Sequence, residues 1–204
     1  MHNSDFKPQE QTNFSKGRGE NMMLKEAFAS QPVLKTERLT LRKLQNSDAE
    51  GILELYQDPE VVRWLDWNGA VSLEEARFVL ALFEQQTRTA RNLRWGLTLT
   101  GEEKVIGSVV LMNFRRQAYA DIGYDLSRAY WGRGLMQEAL TELLRFCDRD
   151  LGLQRIQAYI RPENLASVKL IERLGFVREG LLRKAGMHDV HPELYDVLLY
   201  ARVP

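Results

Sequence analysis

Two glycines stand at a junction between a predicted strand and a predicted helix, in the segment Trp131-Gly-Arg-Gly-Leu135. Glycine lets a backbone come close to a ligand, because it carries no side chain. The first amides of a helix are free, and the helix dipole favours negative charge there, so the junction predicts a pyrophosphate site. Alternatively, Gly132 and Gly134 only permit a tight turn. The segment lacks the third glycine of the dinucleotide fingerprint and the Gly-Lys-Ser/Thr of a P-loop.

A second pair of polar residues, Asn164 and Ser167, opens the next predicted helix, one strand after the glycines. Residues three apart lie on the same side of a helix, so both side chains should face one ligand. The alternative is structural: Asn164 then caps the helix N-terminus and Ser167 fills its first turn.

Two carboxylates, Asp121 and Asp125, lie on the predicted strand before the glycines. Because side chains alternate along a strand, these two project from the same face. Either could accept a proton through water as a general base, and the alternative is that both are solvated. Glu179 and Asp196 are further candidates. The single cysteine, Cys147, lies on an apolar helix face and is predicted to be a core residue, not a nucleophile.

Helices and strands alternate around these residues. Period-two patterns predict strands over residues 39–44, 95–99, 105–112, 119–126, 155–160, 177–182 and 195–202. Helical spacing predicts the longer helices over residues 72–88, 135–147 and 164–175, and residues 184–193 are predicted to be a loop. Interleaved helices and a mixed sheet indicate the α/β or α+β class with both faces of the sheet covered.

The chain of 204 residues divides into an N-terminal extension and one domain. Residues 1–21 contain three apolar side chains, so residues 1–32 are predicted to be flexible or loosely attached. Residues 33–204 form the predicted domain. No secretory signal or bilayer-spanning run is found, and with one cysteine no intrachain disulfide can form, so a cytoplasmic location is expected.

The charge balance and the metal-binding residue types limit the partners. Lys plus Arg and Asp plus Glu number 28 each, so stable binding to nucleic acid or to an anionic membrane is not expected. One cysteine and three histidines also argue against a metal site. A monomer and a homodimer are both left open.

The order of the motifs resembles the GNAT superfamily of acyl-CoA-dependent N-acetyltransferases. It runs strand, Trp131-Gly-Arg-Gly-Leu135, long helix, strand, Asn164-x-x-Ser167, then Glu172-Arg-Leu-Gly-Phe176. The opening Thr36-Glu-Arg-Leu-Thr-Leu-Arg42 and the Ile122-Gly-Tyr124 strand are similar to the ribosomal-protein acetyltransferases RimJ and RimL. The resemblance covers about residues 33–203. It implies a mixed, mostly antiparallel sheet that splays between two central parallel strands.

The resemblance also implies which residues bind acetyl-CoA, the expected co-substrate. Backbone amides of the glycine loop would bind its pyrophosphate: Trp131, Gly132, Arg133, Gly134, Leu135 and Met136. The strand segment from Tyr124 to Leu126 would pair with the pantetheine as an added strand does, and an amide of this strand near Leu126 would stabilise the oxyanion. Asn164 and Ser167 would face the pantetheine and thioester. Many relatives carry Gln or Arg where this chain has Ala129.

The implied reaction is direct attack of an amine on the acetyl thioester in a ternary complex. Ser167 is the predicted proton donor to the leaving thiolate. The leading acceptor is a protein N-terminal amine, such as that of a ribosomal protein, with Trp64 and Trp67 as candidate contacts. The alternatives are a small-molecule amine (a polyamine, an amino acid or an antibiotic) and a non-catalytic acyl-CoA-binding module.

Overall fold

The central feature of the computed structural model is one mixed sheet. The structure describes residues 24–115, 118–190 and 192–204. Within these ranges the sheet has eight strands in the order β1-β2-β3-β4-β5-β6-β8-β7, and every neighbouring pair is antiparallel except β5 and β6. The strands are β1 (Leu34–Lys35), β2 (Leu39–Lys43), β3 (Leu93–Leu99), β4 (Val105–Arg115), β5 (Tyr119–Leu126), β6 (Arg155–Ile160), β7 (Val177–Met187) and β8 (Leu194–Arg202).

Three of the described helices, α3, α4 and α6, begin at a residue whose side chain caps the first turn. Ser72 Oγ accepts from the Glu75 amide and opens the long helix α4, as its sequence predicts. The helices are α1 (Leu24–Ser30), α2 (Ala49–Tyr56), α3 (Pro59–Val62), α4 (Leu73–Arg88), α5 (Leu135–Phe146) and α6 (Leu165–Arg173). Among the described residues, no helix is both long and apolar enough to cross a membrane.

Helices cover both faces of the sheet, which confirms the predicted class. One core lies under α5 and includes Leu140, Leu143 and the fully buried Cys147. The other lies under α2 and α4 and includes Ile52 and Leu80. Burial raises the pKa of the Cys147 thiol, so this side chain is a neutral core residue, as predicted, and its thiolate is not available as a nucleophile.

The central parallel strands diverge. The pairs are Tyr119↔Arg155, Ala120↔Ile156 and Asp121↔Gln157, and among the described residues the pairing stops there. β5 nevertheless continues to Leu126 and β6 to Ile160. The two strands therefore form a V that opens toward their carboxyl ends, which confirms the predicted splay.

Two predicted boundaries differ from the structure. Residues 24–32 belong to the folded domain, because Ala27 of α1 is fully buried and the Trp95 indole donates to the Pro32 carbonyl over 2.8 Å. Apolar residues at helical spacing, starting at Leu24, explain this attachment. The rest of the predicted extension, residues 1–23, lies outside the described residues. β7 also continues through part of the predicted loop, since Gly186 pairs with Tyr195.

Candidate active site

The glycine loop adopts the conformation that its sequence indicates. Gly132 has φ of 71° and Gly134 has φ of 74°, both in the left-handed region that disfavours other residues. Gly134 is the N-cap of α5, and among the described residues no side chain caps that end. Leu135 and Met136 bury their side chains in the core, so they offer a ligand only their backbone amides. No side-chain cap from the described residues occupies this helix start, and free amides at such a start can bind an anion.

The peptide groups of β5 alternate in direction. The Ser127 amide donates to the Ile106 carbonyl of the adjoining β4 over 2.8 Å. The peptide groups of Tyr124 and Leu126 must therefore point the other way, into the V, because neighbouring groups in a strand face opposite sides. The Trp131 indole donates to the Leu126 carbonyl over 2.7 Å. This contact occupies the carbonyl and leaves the Leu126 amide facing the V.

Asn164 and Ser167 lie at the start of α6, and their hydrogen bonds differ. Asn164 Oδ1 accepts from the Ser167 amide over 3.1 Å, so Asn164 is a helix cap, which was the structural alternative. Ser167 Oγ lies 2.5 Å from the Tyr124 hydroxyl. Burial raises the pKa of Tyr124 to about 12, although the hydrogen bond with Ser167 opposes the shift. Tyr124 is therefore a neutral phenol, and one of the two hydroxyls donates a hydrogen bond to the other.

The Tyr124 hydroxyl was missed by sequence reasoning, which selected Tyr124 for its backbone alone. Tyr124 and Ser167 are 43 positions apart, and no short-range spacing connects them. The one sequence signal is the alternation of side chains along β5, which puts Tyr124 on the same face as the core residues Ile122 and Leu126.

Asp125 lies on the opposite face of β5, in a buried polar cluster. Asp125 Oδ2 accepts from the Tyr56 hydroxyl and from Ser108 Oγ, each over 3.0 Å. Arg94 Nη1 lies 3.6 Å from the same oxygen. Burial raises the pKa of Asp125, and Arg94 and the hydrogen bonds partly offset this rise. Asp125 Oδ1 is buried and has no hydrogen-bond partner among the described residues.

Asp121 shares this face with Asp125, as the strand period predicts, but its surroundings differ. It belongs to the last paired position of β5 and β6 and is 6% exposed. Its Oδ2 accepts from Asn113 Nδ2 over 2.8 Å. The alternative that both carboxylates are solvated is wrong, because each is enclosed by the sheet and its covering side chains. Asp125 is the one on the diverging part of β5.

Trp64 and Trp67 follow α3, and each indole already contacts a side chain of the protein. The Trp67 ring meets the Tyr56 ring edge-on, with centroids 4.9 Å apart. The Arg63 guanidinium lies 4.5 Å from the Trp64 ring. Tyr56 also binds Asp125, so Trp67 and Asp125 contact the same side chain.

The residue between the indoles, Asp66, fixes this segment to the end of the sheet. Asp66 Oδ1 accepts from Arg161 Nη2 over 3.2 Å and from the Tyr195 hydroxyl. The Arg161 guanidinium also stacks 3.8 Å from the Tyr195 ring and donates to the Leu65 carbonyl. Arg161 directly follows β6, so the indole segment, residues 64–67, is attached at the open end of the V.

Of the residues that the structure describes, no three or more His, Cys, Asp or Glu side chains form a group that could hold a metal ion. The polar groups around the V include peptide groups of β5, the hydroxyls of Tyr124 and Ser167, and the Asp125 carboxylate. Such groups can bind an extended amide-containing ligand and move protons.

A sheet that diverges beside a glycine-opened helix is the architecture of a class of acyl-group transferases. The sequence signature described as acetyltransferase (GNAT) domain matches residues 38–177. The chain therefore belongs to the GNAT acetyltransferase family, and it is an acetyltransferase.

Individual relatives agree with this membership. The chain is 35% identical to the uncharacterized N-acetyltransferase p20 of Bacillus licheniformis, over 82% of this chain and 94% of p20. It is 30% identical to the ribosomal protein uS5-alanine N-acetyltransferase of Escherichia coli, over 72% and 79% of the two chains. The structure of Mycobacterium smegmatis RimJ with CoA-disulfide superposes with a TM-score of 0.73, at 25% identity, over 84% of this chain and 86% of that one.

Proposed function

We propose that the protein transfers the acetyl group of acetyl-CoA to the N-terminal α-amine of a protein. The observation that carries the proposal is the row of peptide groups, at Tyr124 and Leu126, that faces the V beside the glycine loop. Pantetheine carries two amides, and an unpaired strand edge binds amides as it binds an added strand. The M. smegmatis relative contains a CoA disulfide, which supports the same class of donor here.

The glycine loop is proposed to hold the pyrophosphate through its backbone. Left-handed Gly132 and Gly134 turn the chain into α5, and the first amides of α5 are available to phosphate oxygens. The contribution of Arg133, Leu135 and Met136 in this proposal is through their amides. The Trp131 amide, which the sequence also predicted to bind the pyrophosphate, instead donates to the Arg128 carbonyl over 3.1 Å and is not available. Asn164 then acts indirectly, by capping the turn of α6 that carries Ser167.

Acetyl transfer needs a nitrogen nucleophile, an oxyanion donor and a proton for the leaving group. The free amine attacks the carbonyl carbon and forms the C–N bond, and the Leu126 amide donates to the developing oxyanion. The C–S bond then breaks, and the thiolate takes the Ser167 proton. Ser167 Oγ recovers a proton from the Tyr124 hydroxyl 2.5 Å away, and Tyr124 recovers one from solvent between turnovers.

The attacking amine must also lose a proton, and Asp125 is proposed to accept it. A terminal amine has a pKa of about 8, so a weak general base is sufficient at neutral pH. Asp125 lies on the diverging part of β5 and is hydrogen-bonded to the Tyr56 hydroxyl, which can relay the proton. Asp121, the other proposed carboxylate, belongs to the closed end of the V, so it is the less suitable base.

The two faces of β5 separate the proposed roles. Tyr124 and Ser167 are on the face of α5 and α6, whereas Asp125 and Tyr56 are on the face of α2 and α4. The amine is proposed to enter beside Trp64 and Trp67, from the face of β5 that α2 and α4 cover.

The protein is proposed to be cytoplasmic, as expected from the sequence, and the buried free thiol of Cys147 is consistent with a reducing compartment.

The test uses purified protein, acetyl-CoA and matched acceptors, with CoA release followed by a thiol reagent. Cys147 is buried, so it adds little background. A short peptide with a free N-terminus should be acetylated, and the same peptide with a blocked N-terminus and a lysine side chain should not. Turnover of spermidine or a free amino acid without turnover of the peptide would overturn the protein-acceptor proposal. No turnover of any amine would overturn the acetyl-transfer proposal itself.

A further inference from the structure

Arg38 connects the chain before β2 to the glycine loop. Its backbone amide donates to Glu138 Oε1 over 2.8 Å, and its Nε donates to Glu138 Oε2 over 2.6 Å. Its Nη1 donates to the Arg133 carbonyl over 3.0 Å. Thr36 Oγ1 adds a third donor to Glu138, over 2.5 Å. Thr36 and Arg38 both belong to the opening sequence motif, residues 36–42.

The contact with the Arg133 carbonyl determines the direction of an amide. In a trans peptide the C=O and the following N–H point in opposite directions. The Arg133 carbonyl faces the Arg38 guanidinium, so the Gly134 N–H points away from that guanidinium. Arg38 therefore holds one of the amides that are proposed to bind pyrophosphate.

Arg38 also neutralises the negative charge of Glu138, which would disfavour a bound phosphate nearby. Glu138 lies in the first turn of α5, next to the proposed binding site of a polyanion. Desolvation opposes its ionisation, but hydrogen bonds from Thr36 and Arg38 and the charge of Arg38 leave the pKa of Glu138 lowered. An ionised Glu138 without Arg38 would repel the phosphates.

We propose that Arg38 is a positioning residue for the phosphates of the acyl donor: it orients the Gly134 amide and neutralises Glu138. The inference rests on the proposed function, since it assumes that the glycine loop binds a CoA pyrophosphate. It extends that proposal, because part of the affinity for acetyl-CoA then depends on Arg38, which is 95 positions from Arg133 in the sequence.

The test compares Arg38→Gln, Arg38→Lys and Arg38→Gln/Glu138→Gln by calorimetric CoA binding and by KM. Arg38→Gln removes a charge-assisted hydrogen bond to the loop and leaves the Glu138 carboxylate without a cation beside it. CoA binding should therefore weaken about tenfold, with kcat unchanged. Arg38→Lys keeps the positive charge but loses the planar guanidinium with its several donors, so the loss of CoA affinity should be intermediate. The double variant removes the repulsion and should recover part of the affinity. Arg145→Gln, which breaks the exposed Arg145–Glu142 pair on the same helix, is the matched control.

A second donor separates positioning from general damage. Acetyl-N-acetylcysteamine carries the thioester but no phosphate, so its KM should be the same in wild type and Arg38→Gln. Equal losses for both donors, or unchanged CoA binding in Arg38→Gln, would overturn the inference while leaving the proposed function intact. A wild-type protein that does not bind CoA would overturn the proposed function and this inference with it.

Discussion

The hydroxyls of Tyr124 and Ser167 lie 2.5 Å apart and join the diverging half of β5 to the first turn of α6. This is a contact between two elements that no backbone pairing connects in the described part of the chain. It gives Ser167 a second hydroxyl as its hydrogen-bond partner. A serine alone has one proton to donate, whereas this pair can pass on another.

Removing the Tyr124 hydroxyl should slow the chemical step. We expect Tyr124→Phe to lower kcat about tenfold and Ser167→Ala to lower it by about tenfold to a hundredfold, because general-acid assistance is lost. The double variant should resemble Ser167→Ala, since the two hydroxyls act in series. Steady-state kinetics with a free-amine peptide measures this. Tyr200→Phe, which removes a hydroxyl bound to Glu172 of α6, is the control and should retain kcat.

Asp125→Asn should change the pH dependence of activity. If the carboxylate accepts the amine proton, wild-type kcat/KM rises with pH through the pKa of Asp125, which burial raises. Asp125→Asn should lower kcat at least tenfold and remove this rise, whereas Asp121→Asn should retain it. An Asp125→Asn profile identical to that of the wild type would exclude Asp125 as the base.

The same carboxylate predicts a pH dependence of stability. A raised pKa means that the folded protein holds a proton that the unfolded chain releases, so stability falls as pH rises from the unfolded pKa, about 4, through the folded pKa. Asp125→Asn should make the free energy of unfolding flatter over this interval. Urea unfolding at several pH values measures the slope, and an equal slope in both proteins would contradict the assignment.

Gly132→Ala should strain the loop without a steric clash. A Cβ at Gly132 meets no described atom within 4 Å, so the cost arises from the left-handed φ, about 1 kcal/mol of unfolding free energy. CoA affinity should also fall, because relaxation of φ turns the neighbouring amides. Gly180→Ala is the control, since it has equal space and no left-handed φ. Equal stability losses in the two variants would contradict this explanation.

Trp131→Phe should release the Leu126 carbonyl. The ring can stay, but the 2.7 Å donor is lost, so stability should fall by about 1 kcal/mol and KM for acetyl-CoA should rise. Thermal unfolding and donor titration measure the two effects. Trp64→Phe removes an indole that contacts Arg63 and should leave KM for acetyl-CoA unchanged.

Tyr195→Phe should affect the acceptor and not the donor. The lost hydroxyl holds Asp66, between the two indoles, so the segment becomes less ordered. We expect a rise of about threefold in KM for the amine and no change in KM for acetyl-CoA, as for the loss of one ordinary hydrogen bond. A rise in KM for acetyl-CoA instead would indicate that residues 64–67 contribute to binding of the acetyl donor and not of the amine.

Local patterns in the sequence predicted most of the fold. Period-two apolar residues located the central strands, and Ser72, Gly134 and Asn164 located helix starts, because these signals act over a few residues. Two boundaries were missed. The segment 24–32 is attached through contacts with β3, some 60 positions away, and β7 gains length from pairing with β8.

The candidate site also has parts that local sequence patterns predicted and parts that they did not. The glycine loop and the Asn164-Ser167 helix start follow from local spacing and from the resemblance. The partners of Asp125, Tyr124 and Glu138 come from other elements, at separations of 17 to 102 positions. Such contacts depend on how elements pack, so a period or a motif does not reveal them.

The gap in the sheet has a consequence for the stability of the protein. Along the V, the backbone groups of Tyr124 and Leu126 have no strand partner in β6 among the described residues, so a ligand could pair with them. Binding of such a molecule only to the folded chain adds RT ln(1 + [L]/Kd) to stability, about 2.7 kcal/mol at a hundredfold excess over Kd. By the proposed function that molecule is acetyl-CoA or its product CoA, so the concentration of the whole CoA pool would contribute to the stability of the folded enzyme.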